Sequence, residues 1–388
     1  MTNLRSSAFV FGQQSRCGHL RFLTVLLATI GACTGREPAT RDTSTASDTS
    51  TAPAESQVAW TVRPLLNAPN YFVLSGWATN DTVWGLAGDN PVDVHAISGA
   101  GRAWGVRASG AHRSADRRTL AWADPTGIWT MRRGGRVRRI LRFASLPSPP
   151  PGDPTFEIRW APNGLRVLTS WRDEGNVTWA LVDTASGGYE PLPLRVQGYG
   201  ELGAPLWLDD RRILFSARAN SGKDGSTGYR EGGWRADLVL FDRATHQLDR
   251  VTSVPDGVFL EPLGAWSDTV LAIRRSIGDS LATFSLFDSR AWSETNAPLP
   301  RGTGAAVNTN GSSVAVFRSD DIFSQVLIRA RRASVPHAAP VLIPGRITGA
   351  AWSPDGRSLA VSTMADEPVE GAPNDRRTVY RLSVVQSP

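Results

Sequence analysis

A polar turn followed at once by a short apolar run recurs seven times in this sequence, roughly every 46 residues. The clearest copy runs from Ala351 to Val361 and contains the segment Trp-Ser-Pro-Asp-Gly. When the copies are aligned on Trp352, the equivalent positions are Trp77, Arg113, Trp160, Trp207, Trp266, Val307 and Trp352. Such a repeat is one supersecondary unit, because a single copy cannot bury its apolar surface and must pack on its neighbours.

The residues around each turn predict that the repeat is built of strands. Most turns combine Pro, Asp or Asn, and Gly, as at residues 354–356, and these residues favour tight turns through their backbone angles and local hydrogen bonds. A second hairpin follows in most units, for example across Gly134 and Gly135. Two hairpins make four strands, so the sequence predicts an all-β, seven-bladed β-propeller. Six or eight blades remain open, because the copy at Arg113 is weak and the copy at Trp77 is short.

The two ends of the repeat region predict how the ring closes. The last copy ends with one strand at residues 379–385 and lacks a fourth, whereas a spare strand at residues 58–62 precedes the first copy. We expect this N-terminal strand to complete the last blade, because an unpaired sheet edge invites aggregation.

The repeat resembles the WD40-like repeat of TolB-type propellers. The resemblance rests on Trp-Ser-Pro-Asp-Gly with Leu-Ala-Val at residues 352–361, and on Trp-Ala-Pro-Asn-Gly with Val-Leu at residues 160–168. It covers residues 59–388 and implies the fold more firmly than the activity, since such propellers serve as binding platforms, as accessory domains of enzymes and occasionally as enzymes.

Residues 1–32 resemble a bacterial lipoprotein signal peptide. The segment before Phe22 contains only basic charges, and the apolar stretch at residues 22–32 is too short to span a bilayer as a helix. It ends in Gly-Ala-Cys, which resembles the lipoprotein processing box and implies that Cys33 is acylated after cleavage. The alternative is an ordinary buried cysteine at the end of an apolar helix.

The segment 33–57 is predicted to be a disordered tether between the acylated Cys33 and a propeller at residues 58–388. It is rich in Thr, Ser, Ala, Asp and Pro and has no aromatic residue, so it cannot bury enough apolar surface to fold. Thr34 after the cysteine resembles the pattern that directs lipoproteins to the bacterial outer membrane. We therefore expect a lipid-anchored protein on the periplasmic face or at the cell surface.

The charge balance argues against nucleic acid as a partner. The formal net charge is +6 and falls to +3 once the three arginines of the signal segment are removed. A nucleic-acid footprint would normally be clustered, and a secreted protein seldom meets nucleic acid. The 14 tryptophans recur at one position of the repeat, which is typical of core packing between blades.

No motif predicts a cofactor or a metal. Residues 198–203 match G-x-G-x-x-G, but no strand–helix unit surrounds them, so they are interpreted as a flexible loop between blades. The four histidines after Cys33 have no ligand spacing, and the acidic pairs lack the alternation of a calcium loop. They are His95, His112, His246 and His337.

Long insertions predict where a partner binds. Loops between the second and third strands of each blade should share one face with the connections between blades, and the longest are at 146–154, 218–234 and 365–377. Long loops on a rigid scaffold commonly carry binding residues. The charged candidates on this face are Arg172, Asp173, Glu174, Lys223, Asp224, Asp320, Asp321, Asp366 and Glu367.

The hairpin at residues 132–139 carries the densest positive charge and has two interpretations. Its arginines can attract lipid phosphates, or they can protect an outer edge strand from pairing with other chains. The sequence favours the second interpretation, because alternation predicts that Val137 and Ile140 face inward and that the arginines face outward.

The sequence as a whole favours a monomeric propeller that acts as a protein- or ligand-binding platform in the cell envelope. The alternative is a propeller-type hydrolase or lyase with a site at the channel mouth. An envelope sensor or assembly factor is a third reading. Acidic or histidine side chains clustered in the channel would favour the enzyme.

Overall fold

The structure is a computed structural model of the chain. It describes residues 60–68, 72–108, 110–147, 156–173, 176–194, 199–220, 234–267, 270–277, 282–295, 299, 301–308, 313–319, 322–330, 340–369 and 372–386. The predicted signal segment, Cys33 and the tether lie outside this part of the chain. None of the helical segments among the described residues has the length and apolar character needed to cross a membrane.

Strands make up most of the described chain, and a first strand, β1 (Thr61–Ala68), precedes seven sets of strands. The first set is β2 (Phe72–Thr79), β3 (Thr82–Ala87), β4 (Asn90–His95) and β5 (Gly101–Ala103). The second is β6 (His112–Arg113), β7 (Thr119–Asp124), β8 (Gly127–Arg132) and β9 (Val137–Arg142), followed by a short 3-10 turn (Phe143–Ser145). The third is β10 (Phe156–Trp160), β11 (Arg166–Asp173), β12 (Asn176–Asp183) and β13 (Tyr189–Pro191).

The remaining strands continue the pattern. The fourth set is β14 (Tyr199–Trp207), β15 (Arg212–Asn220), β16 (Trp234–Asp242) and β17 (Gln247–Arg250). The fifth is β18 (Val258–Ser267), β19 (Val270–Ile277), β20 (Thr283–Asp288) and β21 (Ser293–Glu294). The sixth is β22 (Gly304–Val307), β23 (Ser313–Ser319), β24 (Phe323–Ala330) and β25 (Val341–Pro344). The seventh is β26 (Arg346–Trp352), β27 (Ser358–Val369) and β28 (Ala372–Gln386).

Each set forms an antiparallel sheet in chain order, which makes it a propeller blade. The fourth and fifth blades share one eight-stranded sheet through a single parallel bridge between Ala236 and Phe259. The seventh blade has three strands of its own, and β1 pairs with β28 to supply the fourth. The predicted closure by an N-terminal strand is confirmed, but the strand is longer and later than residues 58–62. It continues beyond Pro64 because a bulge there accommodates the proline.

Seven apolar clusters hold the blades together, one between each pair of neighbours. Alternate residues of one strand serve opposite clusters: Val167 of β11 packs toward the second blade, and Leu168 packs toward the fourth. The cluster containing Phe72 and Leu382 joins the seventh blade to the first. The ring is therefore closed, and seven consecutive four-stranded blades make it up.

The anchor tryptophans of three blades make the same hydrogen bond to the preceding blade. Trp77 donates its indole N–H to the carbonyl of Ala351 at 2.7 Å, and Trp160 donates to that of His112 at 3.0 Å. Trp352 donates to the carbonyl of Ala306 at 3.0 Å. Each acceptor is the residue just before the anchor of the preceding blade. The recurring tryptophan is thus a packing residue whose hydrogen bond also fixes the position of one blade relative to the next along the ring axis.

The second blade has Arg113 at the anchor position, with a side chain only 3% exposed. Arg113 donates to Asp93 of the first blade at 2.7 Å and lies 5.2 and 4.9 Å from the ring centres of Trp84 and Trp104. Arg133 reaches the other carboxylate oxygen of Asp93 at 2.7 Å. The weak repeat is therefore a complete blade whose anchor is a paired charge.

Antiparallel pairing gives the ring two different faces. Connections between the first and second strands and between the third and fourth strands lie on one side, here called the turn face, which includes residues 353–357. Connections between the second and third strands, and those between blades, lie on the other side, here called the loop face, which includes residues 88–89. The predicted sharing of one face by these two kinds of connection follows from this pairing.

Candidate functional site

A two-stranded ribbon projects from the loop face of the seventh blade. The first strand, β26, pairs with β27 only as far as Met364, and β1 pairs with β28 only as far as Tyr380. Beyond that level β27 and β28 continue to pair with each other, from Ala365 opposite Val379 to Val369 opposite Ala372. Five residues of extended strand reach about 15 Å, so the ribbon stands clear of its own blade.

The ribbon is held by contacts between its own two strands. Asp366 accepts the hydroxyl of Thr378 at 2.8 Å, and its backbone carbonyl accepts from Arg376 at 3.3 Å. Glu367 forms an ion pair with Arg381. The sequence interpretation of residues 365–377 as a loop is therefore wrong, because the two halves of the segment pair as a ladder. The charges of Asp366 and Glu367 are partly used inside the ribbon.

A second feature lies on the inner strands, where Glu157 and Arg159 sit on one side of β10. Their side chains form an ion pair at 3.0 Å. Arg159 also donates to Nε2 of His112 on the neighbouring inner strand, so that nitrogen is the acceptor and His112 is neutral. Burial, reinforced by the charge of Arg159, holds the pKa of His112 well below its ordinary value.

Glu261 extends this inner cluster to the fifth blade. It forms an ion pair with Arg274 at 3.3 Å across the first two strands of that blade. Burial raises the pKa of Glu157, Arg159 opposes the shift, and the nearby charge of Glu261 adds to it. A carboxyl group with a raised pKa can retain a proton and act as an acid. We call these five residues the inner cluster: His112, Glu157, Arg159, Glu261 and Arg274.

The structure describes four of the nine residues predicted to bind a partner. Arg172 and Asp173 end β11 at the loop face of the third blade, opposite Val177 and Asn176. Asp366 and Glu367 lie in the ribbon of the seventh blade, so the four share a face but belong to different blades. The other five lie outside the described residues: Glu174, Lys223, Asp224, Asp320 and Asp321.

The described residues bring no three His, Cys, Asp or Glu side chains together in an arrangement that could hold a metal ion. The G-x-G-x-x-G segment was predicted to be a loop, but all of it that the structure describes is strand, since β14 begins at Tyr199.

The inner cluster was not predicted from the sequence, although one signal for it exists. The inner strands of the sixth and seventh blades carry small residues before the anchor, such as Gly304 to Ala306 and Gly349 to Ala351. The third blade has Glu157 and Arg159 at these positions. The signal for the inner cluster is therefore a pair of charged residues at repeat positions where the inner strands of other blades have small residues.

No protein-family model matches this sequence, and no curated protein sequence matches it. Among solved structures, the chain is similar to an oligogalacturonate lyase from Vibrio parahaemolyticus, with a TM-score of 0.58 and 12% identity over 86% of this chain and 95% of that chain. It is similar to the RRP9 WD40 repeats, with a TM-score of 0.52 and 10% identity over 87% and 99%. A prolyl endopeptidase gives a TM-score of 0.50 and 11% identity over 80% and 49%. At such identities the similarity shows the fold alone, which is a WD40-like propeller.

Proposed function

We propose that this chain is a lipid-anchored, TolB-like binding platform of the bacterial envelope, which meets a protein partner through its loop face. Cys33 carries the lipid, and residues 33–57 tether the ring to the outer membrane. The observation that supports the platform best is the ribbon formed by residues 365–369 and 372–379. Its outer backbone edges extend beyond β26 and β1, and such edges can pair with an extended segment of another protein.

Metabolic labelling with palmitate tests the anchor. Wild type and Cys33→Ser are expressed in the same cells, and only the wild type is expected to incorporate label and to fractionate with membranes. Equal labelling of the two proteins would exclude acylation at Cys33.

Crosslinking in intact envelopes tests the platform. Ala365 and Val379 face each other across the ribbon, so replacing residues 366–378 with Asn-Gly joins them through a two-residue hairpin turn. We expect wild type to capture a partner that the trimmed variant does not. Arg346→Gln, which changes an exposed charge on the same face outside the ribbon, serves as the control and should capture the partner normally. Capture of the same partner by the trimmed variant would show that the ribbon is not the contact.

The inner cluster supports a second candidate, a lyase or hydrolase. Burial raises the pKa of Glu157, and the charge of Glu261 in the fifth blade adds to the shift, so Glu157 is the candidate acid. Since the fold is similar to that of an oligogalacturonate lyase, oligogalacturonate is the first substrate to test. Release of unsaturated ends by wild type, and its loss in Glu157→Gln, would support the enzyme. Equal product from both proteins, or none from either, would reject it for this substrate.

A further inference from the structure

Positive charge is concentrated in one blade. The second blade and its flanking turns, residues 110–147, contain nine arginines and two aspartates, whereas the other residues from 33 to 388 contain 30 basic and 34 acidic side chains. One blade is therefore strongly basic and the remainder is slightly acidic. A genome-wide preference for arginine would spread such charge evenly, so this concentration calls for a local reason.

Two turns of this blade bring five arginines together on the turn face. The backbone N–H of Arg133 donates to the carbonyl of Arg118 at 2.9 Å, which joins the turn before β7 to the turn after β8. Most of these side chains are exposed, while Arg133 also reaches Asp93. We call this group the arginine patch: Arg117, Arg118, Arg132, Arg133 and Arg136.

The arginine patch departs from the repeat at a position where turn chemistry favours glycine. Gly164 and Gly356 have φ angles of 69° and 75° in the turns of the third and seventh blades, and Arg117 has a φ of 62° at the equivalent position. A left-handed backbone is strained for arginine and not for glycine. At this position the chain therefore has an arginine in a strained backbone conformation that glycine would adopt without strain, which points to a role for the side chain.

The chain leaves the propeller on the same face as the arginine patch. Thr61 at the start of β1 pairs with Gln386, and Gln386 pairs with Ser358, which directly follows the turn of the seventh blade. Thr61, the first strand residue after the predicted tether, thus lies at the turn face, on the side opposite to the ribbon.

We propose that the arginine patch docks the turn face on the anionic phosphate groups of a lipid bilayer. The inference rests on the proposed lipid anchor for the identity of the surface. A lipid chain and a polybasic surface are independent attachments that together give stable binding. The lipid limits the distance to the membrane, and the patch sets which face of the ring meets it. The loop face then points away from the bilayer toward its partner.

Vesicle flotation of the chain without its lipid measures the contribution of the arginine patch to membrane binding. A chain starting at residue 34 retains every described strand, because these lie between Thr61 and Gln386 within one compact body. It is mixed with phosphatidylglycerol-containing vesicles and with neutral phosphatidylcholine vesicles. We expect binding only to the anionic vesicles, with affinity that falls as ionic strength rises.

Two triple variants that remove the same number of charges distinguish an effect of the arginine patch on vesicle binding from an effect of the net charge of the chain. Replacing Arg118, Arg132 and Arg136 with Gln should weaken binding by at least about tenfold, since each basic side chain near an anionic surface contributes. The control replaces Arg301, Arg318 and Arg346, which are exposed and lie toward the loop face, and should bind like wild type. Arg117→Gly relieves the strained backbone, so it should fold normally and still bind less.

Several outcomes would overturn the inference. These are equal binding to neutral vesicles, equal loss in the control triple, unchanged binding by the patch triple, or much tighter binding to an oligonucleotide of matched charge than to vesicles. Each leaves the palmitate result untouched, so failure of the patch and failure of the anchor can be distinguished.

Discussion

The two faces of this propeller differ in what holds them together. On the turn face, residues at one repeat position link neighbouring blades: Asp210 accepts the backbone N–H of Asn163 at 2.9 Å, and Asn80 accepts that of Asp355 at 3.1 Å. On the loop face, the ribbon contacts mainly itself. The comparison indicates that the turn face ties neighbouring blades together, while the ribbon on the loop face is held mainly by its own two strands.

The largest expected effect concerns the buried charge beneath the turn face. Burial lowers the pKa of Arg113, and the Asp93 carboxylate counteracts this. Asp93→Asn removes the counter-charge from a side chain that stays buried, which should lower the free energy of unfolding by about 3–5 kcal/mol. Chemical denaturation measures this value.

Asp89→Asn is the control for Asp93→Asn, because the ion pair of Asp89 with Arg107 is exposed. Such pairs contribute at most about 1 kcal/mol. If the two variants lost the same stability, the pair at Arg113 would not anchor the second blade.

A smaller loss of stability is expected when the hydrogen bonds within a single turn are removed. Asp355 accepts the hydroxyl of Ser353 at 2.6 Å and the N–H of Arg357 at 3.1 Å. Asp355→Ala should therefore cost about 1 kcal/mol. Asp375→Ala, an exposed change in the ribbon, should leave the denaturation midpoint unchanged, and a larger loss at Asp375 than at Asp355 would reverse the comparison.

The pH dependence of stability should distinguish the contribution of the inner cluster from that of the turn face. The pKa of His112 is lowered in the fold, so its contribution to stability is present above about pH 6.5, the unfolded value, and is lost as the pH falls further. The hydroxyl of Ser114 and the N–H of Arg118 lower the pKa of Asp116, so that contribution is lost only below about pH 4. Denaturation midpoints measured against pH should lose the upper step in His112→Gln and show a smaller loss below about pH 4 in Asp116→Asn, because other aspartates also have lowered pKa values. Identical profiles for both variants would contradict these assignments.

The smallest effect on stability should come from removing the ribbon. Replacing residues 366–378 with Asn-Gly leaves the pairing of β26 with β27 and of β1 with β28 intact. The free energy of unfolding should stay within about 0.5 kcal/mol of that of wild type, as for other surface changes. A cooperative loss of structure would show that the ribbon belongs to the scaffold.

The sequence predicted the scaffold because its signals are local. Each turn residue acts on its own backbone, as Asn163 does when it accepts the N–H of Leu165 at 2.9 Å, and the strand count indicated the closure of the ring. The expectation that Val137 faces inward was wrong, since it is 44% exposed. Val137 is the first residue of β9, an outer strand whose first three residues are all exposed, so alternation does not predict burial there.

The inner cluster and the ribbon were not predicted, because each depends on residues that are far apart in the sequence. The charge of Glu261 reaches Glu157 only once the third and fifth blades are placed around the ring axis. The ribbon looked like a loop because its prolines and charges are typical of loops, while its pairing is visible only once both strands are placed. The clustered arginines were visible in the sequence, but the face on which they lie was not.

The most direct test of the account is the orientation of the ring on a membrane. Cys33 is the only cysteine after residue 32 and would be blocked by the proposed acylation, so one added cysteine can carry a fluorophore. Lipidated Arg136→Cys and Asp375→Cys are labelled in vesicles that contain a nitroxide-bearing lipid. The account predicts strong quenching at position 136 and little at position 375. Equal quenching at the two positions, or stronger quenching at 375, would contradict it.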